Sequence, residues 1–528
     1  MNKKSLFATL AIVMALLMIT AFPIPTNANG VRGPRTEDLI IRFYSDVEGA
    51  YAALKAGEID MVGYEITKEL FEDAIEDPHI QVAPVADMGM YEFDIQNNWT
   101  IKDYPEWRSP TSYWEMRAAM ALLTDKNTVV RDCCGGFAER IDQPIAAPTK
   151  GWMNESYMAP NYPYEYDPLE AKTVLDSMFP EGTTDNPYYD PTFPGSVQHI
   201  RTYPEGHEKA GQDLDPLIIC VRKDDRRRLC AGRMLYENLR KHGIPCNVIE
   251  ADMSALYDRV MGDMNYHVYT GGWSLGRFPA LTIYFLYHSM WYFAYGPNYV
   301  TGFNATGDPN YPDLDAYLEL AYYTPSYEAA VTATKNALGV FTEHCITVPL
   351  FSALSYWAYN DKVLGAVNME GYGLEQGYTF MNAYKTDGSP LVYGLKSAPI
   401  AQNIIYSSWF YDRQVMDRYY MYGGVDVPPY NLAIDQAGWI QDWTEASVTT
   451  WVDPEDGEEK SKVTIWLRTD NYWVTPGTGD KGPVVDAYDW LFSAFVQFAF
   501  DDCWLASNYY PDCHHFKLFD YKEIDGEL

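Results

Sequence analysis

An apolar run from Leu217 to Val221 leads through Asp225 into a helical stretch. In that stretch Leu229, Leu235 and Leu239 share one face, and Arg240-Lys-His242 and Gly243 close it before a second apolar run, Ile244 to Ile249. This order constrains the fold more than any other feature of the chain. Basic side chains suit the negative end of a helix, and glycine permits the turn out of it. Two strands joined through a single helix run parallel and are covered on their faces. The same order recurs near the start: a strand over Asp38–Tyr44, a capping box at Ser45-Asp-Val-Glu48, a helix carrying Tyr51 to Leu54, a stop at Gly57 and a strand over Ile59–Val62. Further helices are predicted at Trp114–Arg131, from Asp167-Pro168 to Leu175, at Asp313–Tyr322, and from Thr324-Pro325 to His344; short apolar strands fall at Val348–Phe351 and Tyr356–Tyr359. Recurring β-α-β units of this kind mean an α/β architecture with mostly buried sheets.

A chain of 528 residues divides into two or more domains. Its net charge of -34 excludes nucleic acid as a partner, since phosphates would be repelled. Its 44 Tyr and 15 Trp suit a protein that presents flat amphipathic surfaces to a ligand. At the N-terminus, Lys3-Lys4, the apolar run Leu6–Phe22 and Thr26-Asn-Ala28 read as a secretory signal over residues 1–28, cleaved after Ala28; an uncleaved anchor is the alternative. The expected address is secreted, at the extracellular cell surface, and the sequons at Asn98, Asn154 and Asn304 fit it. The cysteines show no C-x-x-C spacing, so zinc is not expected, and neither is any other cofactor. Export favours disulfides, with Cys503–Cys513 the first expected pair and Cys133-Cys134 placed in or near the core. His514-His515 beside Cys513 has no second cluster to make a metal site.

The stretch Tyr266-His-Val-Tyr-Thr-Gly-Gly-Trp-Ser-Leu-Gly-Arg277 is the candidate site. Tyr266 to Thr270 reads as a strand that empties into two glycines, setting Trp273 at the mouth of a loop. Gly272-Trp-Ser-Leu-Gly276 also matches a G-x-S-x-G nucleophile elbow, which would make Ser274 the nucleophile of a secreted hydrolase. The elbow needs a helix directly after its serine, whereas Arg277-Phe-Pro279 follows here, and proline disfavours helix at Phe278. A core Trp beside a turn is the plain structural reading. Arg226-Arg-Arg228 reads as a solvated helix face.

Character changes near residue 388: Leu391-Val-Tyr-Gly starts a new strand, Val448–Val452 and Lys462–Leu467 form a hairpin around Asp453–Gly457, and Val485–Phe500 is helical.

Several segments together resemble the extracellular solute-binding proteins of ABC importers, family 5, the peptide/nickel class. Ala53-Leu-Lys-Ala-Gly-Glu-Ile-Asp60 is similar to that family's "aLkaGeiD" turn, Met116–Lys126 with Gly135-Gly136 to its "vRqAiayaiDr…G" helix, and Leu239–Ile244 to "LkkiGi". Tyr266–Trp273 resembles its "yd…gW" strand, Val348-Pro-Leu350 its "iPly", Lys462–Arg468 its "ytftLR" and Asp486–Asp489 its "TAeD". The last two belong to the family's N-terminal portion and here come last. The resemblance therefore implies a circular permutation, or a second tandem unit that begins at residue 391 and stops short.

The fold it implies is two-lobed and periplasmic-binding-protein-like, with mixed sheets: lobe I from residues 37–95 and 351–447, lobe II from 96–350, and an incomplete β-rich subdomain at 448–528. The resemblance implies no catalysis but capture of an oligopeptide or oligosaccharide between lobes and its delivery to ABC permease subunits, by a monomer. A surface receptor that kept the fold and lost transport is a further reading. Trp273 occupies the place of the family's cleft Trp. The carboxylate that pairs with a peptide amino terminus is replaced by Gly276, beside Arg277, which could instead hold a carboxylate bidentately. The expected ligand-binding residues are Trp273, Ser274, Arg277 and Asn298 from one lobe, and Phe351, Tyr406 and Trp409 from the other.

Overall fold

The computed structural model describes residues 34–289, residues 314–395 except Pro325, and shorter stretches between 398 and 499. Among the described residues, fourteen strands up to residue 395 set the architecture. They are β1 (Leu39–Phe43), β2 (Met61–Val62), β3 (Ile80–Ala86), β4 (Gly89–Ile95), β5 (Ala138–Arg140), β6 (Glu181–Asp185), β7 (His199–Arg201) and β8 (Leu217–Arg222). The remainder are β9 (Cys246–Ala251), β10 (Val268–Ser274), β11 (Thr347–Asn360), β12 (Val363–Leu364), β13 (Tyr384–Lys385) and β14 (Leu391–Leu395). Ten join one mixed sheet in the order β1-β14-β2-β11-β4-β10-β8-β9, with β3 and β5 also on β11; β6–β7 and β12–β13 are separate pairs.

The helices start and stop where the side chains dictate. In α1 (Val47–Lys55) the cap is Asp46, one residue beyond the expected Ser45. Its carboxylate accepts the Gly49 amide at 2.7 Å, while the Ser45 hydroxyl donates to the same carboxylate at 2.9 Å. A charged acceptor at the positive end of a helix is the stronger cap. The longer helices that follow before β10 are α2 (Lys68–Ala74), α3 (Trp114–Leu122), α4 (Pro168–Met178) and α5 (Arg226–Lys241). The long helix expected over 114–131 breaks after α3, because the Asp125 carboxylate captures the Thr128 amide at 2.9 Å and opens a new short turn. Asp167 and Asp225 cap α4 and α5 as expected, and Gly243, at φ +78°, ends the second of these. Beyond β10 come α6 (Pro279–Tyr287), α7 (Leu314–Tyr323) and α8 (Tyr327–Glu343), the last capped by Ser326 rather than Thr324.

Strands β8 and β9 are parallel neighbours joined through α5, as the opening motif requires. One apolar core lies between α3, α4 and α5 and a sheet face carrying Phe93, Ile95, Ile219 and Val268. A second lies between α6, α7 and α8 and the opposite face, around Met90.

The strands expected at 348–351 and 356–359 are one continuous strand, β11, kept extended through Ser352, Ala353, Leu354 and Ser355. Its first half pairs with β4 and β5, its second with β3 and β2. Strands β3 and β4 run beside it almost end to end, so two adjacent antiparallel paths carry the chain from one half of the sheet to the other. The partner changes at Asp87, whose amide donates to the Ala353 carbonyl at 3.0 Å. Strand β14 lies between β1 and β2, parallel to both, which makes the segment from residue 391 an internal part of the first half. A hairpin forms from Val448–Val452, but its partner is Glu459–Val463 rather than the expected Lys462–Leu467, and Trp466–Leu467 pairs instead with Ile440–Asp442; a helix at Ala487–Ala499 falls within the expected Val485–Phe500.

A disulfide joins Cys133 to Cys230, tying the end of the Val129–Cys133 turns to α5. Sequence alone places Cys133 in or near the core and gives Cys230 no partner, because 97 positions separate them. Cys503, Cys513 and the signal segment lie outside the described residues.

Candidate functional site

The Gly-Gly-Trp segment is strand rather than loop: β10 continues through Ser274, with Gly271 opposite Glu92, Gly272 opposite Tyr91, Trp273 opposite Met90 and Ser274 opposite Gly89. The glycines serve close approach and not a turn. A Cβ on Gly271 would stand 2.0 Å from the Asp94 carboxylate, and one on Gly272 would stand 2.1 Å from the Arg228 guanidinium. Each missing side chain is the space that a charged group from a neighbouring element occupies.

On the Gly271 face, side chains alternate so that Met90, Glu92 and Asp94 of β4 point the same way. Trp273 folds back along its strand, and its indole N–H donates to Asp94 Oδ1 at 3.3 Å. Tyr287 of α6 donates to Glu92 Oε1 at 2.7 Å. Both carboxylates are fully buried, and burial raises both above the ordinary carboxylate range; for Asp94 the Glu92 charge adds to it. Trp273 remains half-buried, packed against Met90 and the α6 side of the core.

The opposite face carries Tyr91, stacked on Phe351 at 4.6 Å. Arg227 donates to the Tyr91 hydroxyl at 2.8 Å, and the Arg227 and Arg228 guanidinium carbons lie 4.9 and 5.1 Å from the Tyr91 ring centroid. The arginine cluster is therefore not a solvated face: only Arg226 is exposed, and Arg228 keeps 13% of its side chain accessible. Two of three arginines turn inward because Asp225 at the helix cap and the electron-rich tyrosine face receive them.

Next to this lies the strand crossover. Burial lifts the Asp87 carboxyl to about 6 against the Gly89 amide it accepts at 2.9 Å; the Glu65 charge adds to the rise and Arg227 opposes it. Phe71 of α2, Phe137 and Tyr356 of β11 form a three-ring contact with centroids 4.4–5.3 Å apart, joining elements of both halves.

Of the expected ligand-binding residues, the structure brings Trp273, exposed Ser274 and partly exposed Arg277 to one end of β10. Phe351 is 1% exposed and lies opposite Tyr91, in the same half of the sheet as Trp273. Asn298, Tyr406 and Trp409 lie outside the described residues. Ser274 does not sit on a strand-to-helix elbow, since the next helix begins only at Pro279 and Phe278 is extended before it. Among the described residues, no group of three or more His, Cys, Asp or Glu could hold a metal ion, and no helix is long and apolar enough to cross a membrane. Sequence reasoning missed Glu92, Asp94, Tyr91, Arg227 and Arg228. The signal was present in Met90-Tyr-Glu-Phe-Asp-Ile95, where acids alternate along a strand flanked by apolar residues.

Two half-sheets joined by paired crossing strands, with an aromatic and charged cluster at the crossing, define a two-lobed α/β binding-protein fold. Residues 27–292 match the family model described as bacterial extracellular solute-binding proteins, family 5 Middle. The chain belongs to the family 5 extracellular solute-binding proteins, a family of binding proteins. It is similar in fold to a putative peptide binding protein AppA from Clostridium difficile, at 14% identity and TM-score 0.47, covering 64% of this chain and 59% of that one. It is also similar to DppA from Helicobacter pylori, solved in complex with the peptide STSA, at 16% identity and TM-score 0.44, covering 64% and 55%. A nickel ABC transporter protein from Bacillus halodurans gives 19% identity and TM-score 0.45, covering 62% and 58%. The chain thus spans less than two thirds of the length of these relatives. A comparison with curated proteins finds no match.

Proposed function

We propose that this chain is the solute-capturing component of an ABC importer, acting outside the membrane as a monomer. It takes an oligopeptide or oligosaccharide between its two lobes and hands it to permease subunits, making and breaking no bond itself. The observation that carries this reading is the place of Trp273: half-buried, at the end of β10, opposite Met90 and two residues from the Asp87–Gly89 crossover. An indole fixed beside a hinge can stack on a ligand and register closure. Ser274 and Arg277 stand beside it to supply a hydroxyl and a guanidinium. The family membership supports capture and not turnover.

Calorimetric titration with a panel of short peptides and of oligosaccharides tests it. One class binds in the micromolar range or tighter, small-angle scattering records compaction, and Trp273→Ala weakens binding at least tenfold, or about 1.4 kcal/mol. Absence of binding across both classes, or full affinity in Trp273→Ala, would sink the reading.

A further inference from the structure

Glu92 and Asp94 stand two residues apart on β4 and are each 0% exposed. Their four oxygens meet two donors: the Tyr287 hydroxyl on Glu92 Oε1 and the Trp273 indole on Asp94 Oδ1. Among the described residues, Glu92 Oε2 and Asp94 Oδ2 are buried and find no hydrogen-bond partner. Among the described residues, the groups acting on the pair are Tyr287 from α6, Thr347 from β11, Tyr269 and Trp273 from β10 and, from the opposite face of the sheet, Arg228 of α5. Arg228 is the only cation among these, and it acts through space while lying 3.4 Å from Asp225. Two ionised carboxylates in such surroundings repel each other and lack solvation, so one proton belongs to the pair. A proton held by the pair supplies a donor that these carboxylates otherwise lack.

We infer that Glu92 and Asp94 share one proton and act as a positioning pair that fixes the Trp273 indole at the strand crossover. Gly271 makes the arrangement possible, because any Cβ there would occupy the Asp94 carboxylate's place. When the proton leaves as pH rises, the two charges separate, and the indole bonded to Asp94 moves with it. The sign follows from the raised proton affinity of both groups. The stability contributed by this proton is full below the ordinary carboxylate range and is lost as pH rises through the raised value. The consequence for ligand affinity rests on the function proposed above; the proton-sharing itself does not.

The test needs no ligand. The whole protein is labelled with 5-fluorotryptophan, the Trp273 resonance is assigned by its absence in Trp273→Phe, and its ¹⁹F shift is followed from about pH 5 to about pH 10. The wild type shows a titration step at Trp273. Asp94→Asn, whose amide donates to Glu92 while its oxygen accepts from the indole, holds the low-pH shift throughout; Glu92→Gln serves equally and covers the case in which the first variant does not fold. A Trp273 shift that stays constant in the wild type, or the same step in both amide variants, overturns the inference. A merely structural role would lower stability and leave the step in place. Failure to find any ligand would overturn the proposed function and leave this result intact.

Discussion

Gly271 and Gly272 show how much a missing side chain can specify. Both lie in extended strand, where glycine is otherwise a weakness, and each yields its Cβ space to a charge: the Asp94 carboxylate in one case, the Arg228 guanidinium in the other. Gly271→Ala and Gly272→Ala are each expected to lose about 1–3 kcal/mol, since the intruding methyl must displace a buried charged group. Gly276→Ala is the control. Its Cβ would meet only Thr282 Oγ1, at 3.5 Å, and the change should stay within about 0.5 kcal/mol. Urea unfolding of the three variants checks this, and equal midpoints would contradict the account. The glycine doublet stood out in the sequence, but as the mouth of a loop. Its reason was not legible there, because the groups that approach sit 177 and 44 positions away, on β4 and α5.

Among elements, α5 joins most of the site's parts. Asp225 accepts the Arg227 amide at 2.9 Å to start it, Arg227 and Arg228 leave its first turn toward Tyr91, and Cys230 anchors its next turn to Cys133. A cross-link closing so long a loop restricts the unfolded chain strongly. Reduction, or Cys230→Ser, is expected to cost about 2–4 kcal/mol in guanidinium unfolding; a variant as stable as the oxidised wild type would contradict this. The helix itself was readable from its caps and its Leu229, Leu235, Leu239 face, because capping and periodicity are local. Its inward arginines were not, because nothing local distinguishes a guanidinium facing water from one facing a tyrosine. The same limit explains Phe351. An apolar residue in a strand reads alike whether it lines a cleft or stacks on Tyr91.

For the whole molecule, the α/β class, the parallel β8–α5–β9 unit and the first strand of the 448–463 hairpin followed from sequence, while that hairpin's second strand and the order of the sheet did not. Strand β14 inserts between β1 and β2 across more than three hundred intervening residues, a pairing no local pattern announces. At the crossover the ladder is interrupted: the register of β11 shifts between Pro349 and Phe351, and Asp87 and Met88 fall between β3 and β4. Strand β8, by contrast, is flanked on both sides by β10 and β9. Hydrogen exchange should therefore be faster in a peptide spanning Asp87 and Met88 than in one spanning Leu217–Arg222; equal protection would argue against a hinge there. Because β11 is shared by both halves, a break in it would unseat both together. Anyone turning this chain into a fluorescent sensor should leave Thr347–Asn360 uncut and place new termini or a reporter elsewhere, for instance at the turn of the 448–463 hairpin.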